Sequence, residues 1–282
     1  MIRRTVENEH WLITQNDHAQ LSGKLAESLG NERFAAPSSA SAVLGIAMHD
    51  GGWALHDDAP TLDRDGQPLD VFQTPPAIGL AVWDASAERA ASRDDYAGLL
   101  VSLHSLGLSV FVTETNPLGE NSWDLADPRI KFELNRFQHK MIELQESLRQ
   151  RLGLRTDRPL QHGLSNELAD PREARLRFDF RWLGAMDRLS LAICCTKSPF
   201  ASLDNIHPRP AAPATAIRVE RPEPSIVRLD PWPFRSPRLE VQFPFRRLPA
   251  RVWPGLADFR DGYSAAPIER FTVAVEPLTM SS

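Results

Sequence analysis

The pattern of apolar residues changes sharply near Pro199, and this change limits what the chain can fold into. Before it, apolar side chains recur every three or four residues, as they do on one face of a helix. After it, 14 of the 23 prolines fall within the last 84 residues, and short alternating runs replace the helical pattern. Because proline interrupts helices and suits turns and edge strands, the sequence predicts a helical part followed by a β-rich part.

Six helices are predicted in the first part, most with a start or stop signal beside the apolar stripe. Asp127-Pro128 and Asp170-Pro171 are the clearest starts, since a capping acid followed by proline suits the first turn of a helix. The predicted helices begin near Asn16 or Asp17, Ser38 or Ser39, Leu80, Asp94 or Asp95, Pro128 and Pro171.

We therefore expect a mainly α-helical protein with two domains. A helical domain covers residues 1–200, and a small proline-rich β-strand extension over residues 205–282 packs on it. Short extended pieces are expected before the first helix. The strands predicted in the extension are Ile217–Glu220, Ile226–Asp230, Leu239–Phe245 and Phe271–Glu276.

Composition narrows the class of protein. The net charge is -5 and no long basic run is present, which argues against non-specific nucleic-acid binding. No unbroken apolar window has the length of a membrane span, and the first residues lack the apolar segment of a signal peptide. Cys194 and Cys195 are adjacent, so we interpret them as buried apolar residues rather than a disulfide framework. These features predict a cytoplasmic protein that acts without a membrane; they do not predict an oligomeric state.

The clearest candidates for a metal-binding or catalytic role are an adjacent histidine and aspartate, His49-Asp50. They end an apolar helical run and precede two glycines. His18 shares a helix face with leucines, and Asp187 lies in the apolar stripe of the last helix. A buried acid is costly unless a cation pairs with it. Imidazole and carboxylate groups suit divalent Mn, Fe, Co, Ni or Zn. We expect His18, His49, Asp50 and Asp187 to converge on such a metal ion.

The order of these residues resembles the HD-domain superfamily of metal-dependent phosphohydrolases, which is named for its His-Asp doublet. The segments Ile46–Gly52 and Ala185–Ser190 are similar to those that carry the doublet and the final aspartate in that superfamily. The chain also resembles an uncharacterised bacterial family through Gln15–Ala19 and His49–Trp53. The superfamily resemblance covers residues 10–200 and implies an HD-domain-like helical bundle with His18, His49, Asp50 and Asp187 as ligands.

This resemblance implies metal-dependent hydrolysis of a phosphate ester, either a nucleotide or another small phosphorylated molecule. Asp50 would orient the attacking water or share its proton, and His104 would contact the leaving group or a second metal. His139 and His162 are weaker candidates for a second metal. The basic residues considered for the phosphate are Lys131, Arg136 and Arg188.

Two alternatives use the same residues differently. A di-iron oxygenase would need two irons and further ligands. A non-catalytic binding or scaffold protein would keep the doublet as structure and work through aromatic residues of the extension: Trp232, Phe234, Phe243, Phe245 and Trp253. The acidic residues after the doublet, Asp57, Asp58 and Asp63, are interpreted as a solvated loop.

Overall fold

The computed structural model describes residues 1–114, 123–155 and 170–278. These residues form eight α-helices and seven strands, with short 3-10 helices at Gly51–Trp53 and Val71–Gln73. The helices are α1 (Gln15–Ser28), α2 (Ala40–Met48), α3 (Ala54–Asp58), α4 (Pro76–Ala91), α5 (Asp95–Glu114), α6 (Pro128–Arg151), α7 (Pro171–Cys194) and α8 (Leu256–Ala265). The strands are β1 (Ile2–Val6), β2 (Glu9–Ile13), β3 (Ser202–Ile206), β4 (Thr215–Glu223), β5 (Ile226–Asp230), β6 (Leu239–Pro249) and β7 (Ile268–Pro277).

All seven strands belong to one curled sheet, in the order β1-β2-β6-β7-β5-β4-β3. The pairing of β5 with β7 is parallel and the other pairs are antiparallel. β2 pairs with β6, so that Glu9 lies opposite Pro249. Strands from the two ends of the sequence are thereby neighbours in one sheet, and the sheet draws strands from both predicted domains. The division at residues 200–205 stays a prediction about folding units.

The prediction of a mainly α-helical bundle with a small β-rich extension is wrong. The chain is 50% helical and 21% strand, and its mixed sheet is a curled half-barrel, not an appendage. This sheet also overturns the resemblance to the HD-domain superfamily, whose fold is helical. The four strands predicted in the last part are present and several are longer than predicted. Local patterns did not predict the pairing of β2 with β6, which joins the β1–β2 pair to the last part of the sequence.

The helical predictions fare better. Ser39 accepts a hydrogen bond from the Ala42 N–H at the start of α2, and Asp127 and Asp170 cap α6 and α7 as predicted. The residue that caps α1 is Thr14, just before the predicted position. One short helix, α8, lies in the part predicted to be strands, where it packs Phe259 and Tyr263 against Leu248 and Trp253.

The core is layered between the sheet and the helices. Alternate residues of β2 belong to different parts of the core. Trp11 and Ile13 pack in the main core with α1 and α7, whereas Leu12 packs in a smaller apolar cluster with α8. The scaffold alternative needs the aromatic residues of the last part to be exposed, but four of them are buried. Their exposed fractions are 1% for Phe234, 0% for Phe243, 4% for Phe245 and 5% for Trp253. Because these four side chains belong to the core, they cannot form the binding surface that the scaffold alternative requires.

One helical window among the described residues, Asp95–Val112 in α5, has the length and apolar character of a membrane span, and 61% of it is buried inside the fold. Its leucines 99, 100 and 103 are fully buried in the main core. This degree of burial is typical of a core helix in a soluble protein. The predicted cytoplasmic location stays a prediction.

Candidate metal centre

Three helices bring ligand-type side chains to one point inside the protein. His18 lies in the first turn of α1, His49 is the residue that ends α2, and Asp187 lies in the second half of α7. Each offers one ligand atom, and the three atoms lie within 4.8 Å of one another. Both histidines are 1% exposed, whereas the Asp187 side chain is 13% exposed. The cluster is therefore buried but open on the side of Asp187.

The distances within the cluster are those of atoms that could share one ion. His18 Nε2 lies 3.0 Å from Asp187 Oδ1 and 3.2 Å from His49 Nε2. His49 Nε2 lies 3.5 Å from the same carboxylate oxygen. Asp50 Oδ2 lies 3.8 and 3.7 Å from the two imidazole nitrogens. Ligands about 2.0–2.2 Å from a tetrahedral ion are about 3.3–3.6 Å apart, so a small divalent cation fits among these atoms with little rearrangement.

Hydrogen bonds on the far side of each ring orient both histidines. His49 Nδ1 lies 2.8 Å from the carbonyl oxygen of Ile46, which can only accept a hydrogen bond. His18 Nδ1 lies 2.6 Å from Ser190 Oγ, whose own hydroxyl donates to the carbonyl of Asp187. His49 Nδ1 therefore carries a hydrogen and its Nε2 faces His18 and Asp187, while Ser190 holds the ring of His18 with Nε2 directed at Asp187 Oδ1. Outer partners of this kind are typical of metal-binding histidines.

The two Nε2 atoms and the Asp187 carboxylate meet at one point, where negative charge favours a cation. In the metal-free protein His49 supplies that positive charge by holding a proton. Burial lowers the pKa of His49, but the charge of Asp50 and the hydrogen bond and charge of Asp187 raise it to about 9. Burial would raise the pKa of Asp187, yet its hydrogen bonds with His18 and His49 hold it well below the ordinary value. The cluster is thus built to hold a cation, and a divalent metal can replace the proton.

Gln15 completes the surroundings of Asp50. Its Nε2 donates to Asp50 Oδ2 over 3.0 Å, and this bond sets the orientation of the amide because a carboxylate only accepts. Its Oε1 is buried and lacks a hydrogen-bond partner among the described residues. Asp57 of α3 accepts from the backbone N–H of Gln15 over 2.9 Å, which ties the start of α1 to the segment after the doublet. An unused acceptor at this position suits a water molecule held at the centre.

The two glycines after the doublet have different roles. Gly52 donates its N–H to Ser86 Oγ over 2.9 Å, and a Cβ added there would lie 2.1 Å from the carbonyl oxygen of Val82. A Cβ added to Gly51 would meet nothing within 4 Å. The close approach of Gly52 to α4 is therefore what directs the chain after His49 and Asp50.

We expect Gly52→Ala to destabilise the protein by about 1–3 kcal/mol, because the new methyl group forces the doublet away from α4. Gly51→Ala is the matched control and should change the free energy of unfolding by less than about 0.5 kcal/mol. Chemical denaturation of both variants measures the difference. Equal stability of the two variants would contradict the close approach at Gly52.

His104 of α5 lies on the opposite side of the Asp187 carboxylate. Its Nε2 is 3.7 Å from Asp187 Oδ2, which is too long for a hydrogen bond, and its ring centroid is 5.1 Å from that of His49. Burial lowers the pKa of His104 to about 4. His104 is thus neutral at neutral pH and lies beside the cluster; its contact with a leaving group or a second metal stays a prediction.

A family model described as a protein of unknown function, DUF3891, matches residues 1–250. The chain belongs to this family. The match runs from β1 through β6 and includes every candidate ligand, and it replaces the superfamily suggested by the doublet. No curated protein and no solved structure matches the chain.

In this DUF3891 chain the cluster opens into a cavity of about 460 Å³ between α5 and α7. His18, Asp50, His104 and Asp187 form one end of its lining. The rest is mainly apolar, with two arginines of α7. The lining also includes Thr74, Trp83, Gly107, Trp123, Arg181, Gly184 and Arg188.

Several other predicted residues lie away from this cavity. Lys131, Arg136 and His139 are exposed on α6, where Arg136 pairs with Glu133. His162 lies outside the described residues. A larger cavity of about 620 Å³ lies between α4 and α6, but most of its charged lining residues pair with each other, as Lys140 does with Asp84 and Arg136 with Glu133. Of the basic residues considered for a phosphate, Arg188 is the one that reaches the candidate centre.

Sequence reasoning missed the residues that support the ligands. Asp57 was assigned to a solvated loop, but it is 4% exposed and bound to the start of α1. Gln15 and Ser190 lie three residues from His18 and Asp187, one helical turn away. That spacing is a usable signal, because residues one turn apart share a helix face.

We expect Ser190→Ala to weaken metal binding by about 10–100-fold, because it removes the hydroxyl that holds the ring of His18 at Nδ1. Ser28→Ala is the matched control: Ser28 also bonds a backbone carbonyl, on the exposed side of α1. Metal affinity is measured by competition with a chelator. Equal affinities in both variants would show that Ser190 does not orient a ligand.

Proposed function

We propose that this protein hydrolyses a phosphate ester with the help of a divalent transition metal. The observation that carries the proposal is the convergence of His18, His49, Asp50 and Asp187, with Nε2 of both histidines directed at the same point. The donor set of two imidazoles and two carboxylates suits Mn, Fe, Co, Ni or Zn. The unpartnered Oε1 of Gln15 and the adjoining cavity leave room for water and a substrate.

A metal in this position would act as a Lewis acid and lower the pKa of a bound water. The protein groups have separate roles around it. Asp50, fixed by Gln15 at Oδ2, orients the attacking water and accepts its proton. His104 is neutral at neutral pH, so it donates a hydrogen bond to the leaving-group oxygen and does not act as an imidazolium acid. Arg188, beside Asp187, faces the phosphate from the same helix.

The first test is the metal content of protein purified without a nickel column or chelator, measured by elemental mass spectrometry. His49→Ala is compared with His139→Ala, whose histidine is exposed on α6. We expect about one metal per chain in the wild type and in His139→Ala, and none in His49→Ala. No metal after purification, and none taken up from Mn, Fe, Co, Ni or Zn, would overturn the proposal.

The second test is hydrolysis of 4-nitrophenyl phosphate and bis(4-nitrophenyl) phosphate by the metal-loaded protein. These esters release a coloured product without further reagents. We expect turnover that requires metal, is retained in His139→Ala and is lost in His49→Ala. Two irons per chain with oxygen consumption and no phosphate release would favour the oxygenase instead.

A further inference from the structure

The cavity beside the candidate centre is widened by two glycines in helix interiors. Gly107 follows His104 by one turn on α5, and Gly184 precedes Asp187 by one turn on α7. Among the described residues, no neighbouring heavy atom lies within 4 Å of a Cβ built on either glycine. Glycine is a poor helix former, and neither position needs it for close packing. The missing side chains therefore leave open volume directly beside the ligands.

The wall facing this volume is aromatic. Trp83 and Trp123 stack with ring centroids 5.4 Å apart and an interplanar angle of 26°. The Trp123 indole N–H donates to the carbonyl of Thr74, and the Thr74 hydroxyl donates to the carbonyl of Val71. Since these donors are already used, a sugar or other polyol would leave hydroxyl groups unpaired along this wall. A flat apolar group fits it better.

Two arginines of α7, Arg181 and Arg188, bring positive charge to the lining of this cavity. Arg188 donates to the carbonyl oxygens of Gly184 and Asp204, so it is held beside the cavity. The Nε of Arg181 is buried and lacks a hydrogen-bond partner among the described residues. Arg181 precedes Asp187 by six residues, about 9 Å along a helix. A guanidinium with an unused donor in such a cavity favours an anionic ligand.

We infer that the cavity selects phosphate esters that carry a flat, apolar organic group, and that Arg181 helps to select them by their charge. The inference rests on the proposed function, in which the phosphate lies at the metal. The organic group then occupies the volume beside Gly107 and Gly184, against Trp83 and Trp123. Nucleotides, whose ribose needs hydrogen-bond partners, are disfavoured by the same wall.

Binding of non-hydrolysable phosphonates to the metal-loaded protein tests this inference without relying on turnover. The two probes are 1-naphthylphosphonate, which has a flat apolar group, and methylphosphonate, which does not. By titration calorimetry we expect the wild type to bind the naphthyl probe at least about tenfold more tightly. Gly184→Leu should remove this preference by filling the open volume, with methylphosphonate affinity and metal content unchanged. Arg181→Gln should weaken both probes by about tenfold.

Gly184→Ala controls for effects on folding. Alanine favours a helix and meets open space here, so the midpoint of thermal unfolding should rise by about 2–4 °C. Equal binding of the two probes by the wild type, or a naphthyl preference retained in Gly184→Leu, would overturn the inference while leaving metal-dependent hydrolysis intact. Selective naphthyl binding that Gly184→Leu removes, without hydrolysis of any ester, would support the cavity assignment and reject the proposed function.

Discussion

Asp187→Asn is expected to leave the protein without metal and to lower hydrolysis of a phosphate ester by at least about 10³-fold. Asp187 lies close to three histidines: Oδ1 is 3.0 Å from His18 and 3.5 Å from His49, and Oδ2 is 3.7 Å from His104. The amide has nearly the same shape but no charge. Changing an outer partner of a metal ligand costs about 10–100-fold in affinity, and removing a charged ligand costs more.

The matched control is Asp58→Asn, because Asp58 is exposed on α3 near the site and no ligand touches it. Both variants should give the same circular dichroism spectrum as the wild type. Metal content and turnover are then measured on the same preparations. A fully metal-loaded Asp187→Asn protein would place the ion elsewhere and remove the basis of the proposed mechanism.

The burial of the candidate ligands could be predicted because each lies within a local pattern. His18 shares a stripe with Leu21 and Leu25, which are 2% and 0% exposed. Asp187 follows Leu183, which is fully buried, by one helical turn. A polar residue in such a stripe is carried into the core with its neighbours and needs a partner there. Helical periodicity therefore indicated burial of the ligands without any knowledge of the overall fold.

The fold could not be predicted in the same way, because its sheet depends on contacts between distant residues. β2 is five residues long and acquires its place only by pairing with β6, where Leu12 lies opposite Arg246. Nothing within Glu9–Ile13 indicates that partner. The doublet, its following glycine and the last aspartate form short patterns that matched a helical superfamily, yet here they lie on helices that pack against a curled sheet. Short motifs identified ligand candidates and misassigned the fold around them.

Some residues that surround the candidate ligands could have been predicted from the sequence, and others could not. Gln15 and Ser190 lie one turn from a ligand and could have been found by helical spacing alone. Arg181 could not have been found in this way. Its proposed role depends on a buried Nε that lacks a hydrogen-bond partner among the described residues, and only the folded structure shows this. Gly107 and Gly184 are similar, since a glycine in a helix can serve close packing or open space and the sequence does not distinguish the two.

Apparent metal affinity is expected to rise by about 10²–10³-fold between pH 6 and pH 9 and to level off above that range. In the metal-free protein His49 keeps its proton up to a pKa of about 9, because the attraction of Asp50 and Asp187 outweighs the effect of burial. Metal binding must release this proton, so each unit below that pKa lowers the affinity about tenfold. An imidazole with the ordinary pKa of 6.5 would allow only about a fourfold rise over the same interval.

Competition with a chelator buffer at fixed free metal measures the slope, and His139→Ala should reproduce it. Stability supplies an independent check on the sign. A folded-state pKa raised from 6.5 to about 9 stabilises the metal-free protein below pH 6.5, and that contribution is lost as the pH rises through 9. The metal-free protein should therefore lose up to about 3 kcal/mol of stability across this window, whereas the metal-loaded protein should lose little. An affinity that is constant above pH 7, with no loss of metal-free stability, would show that no proton occupies the space between His18 and His49.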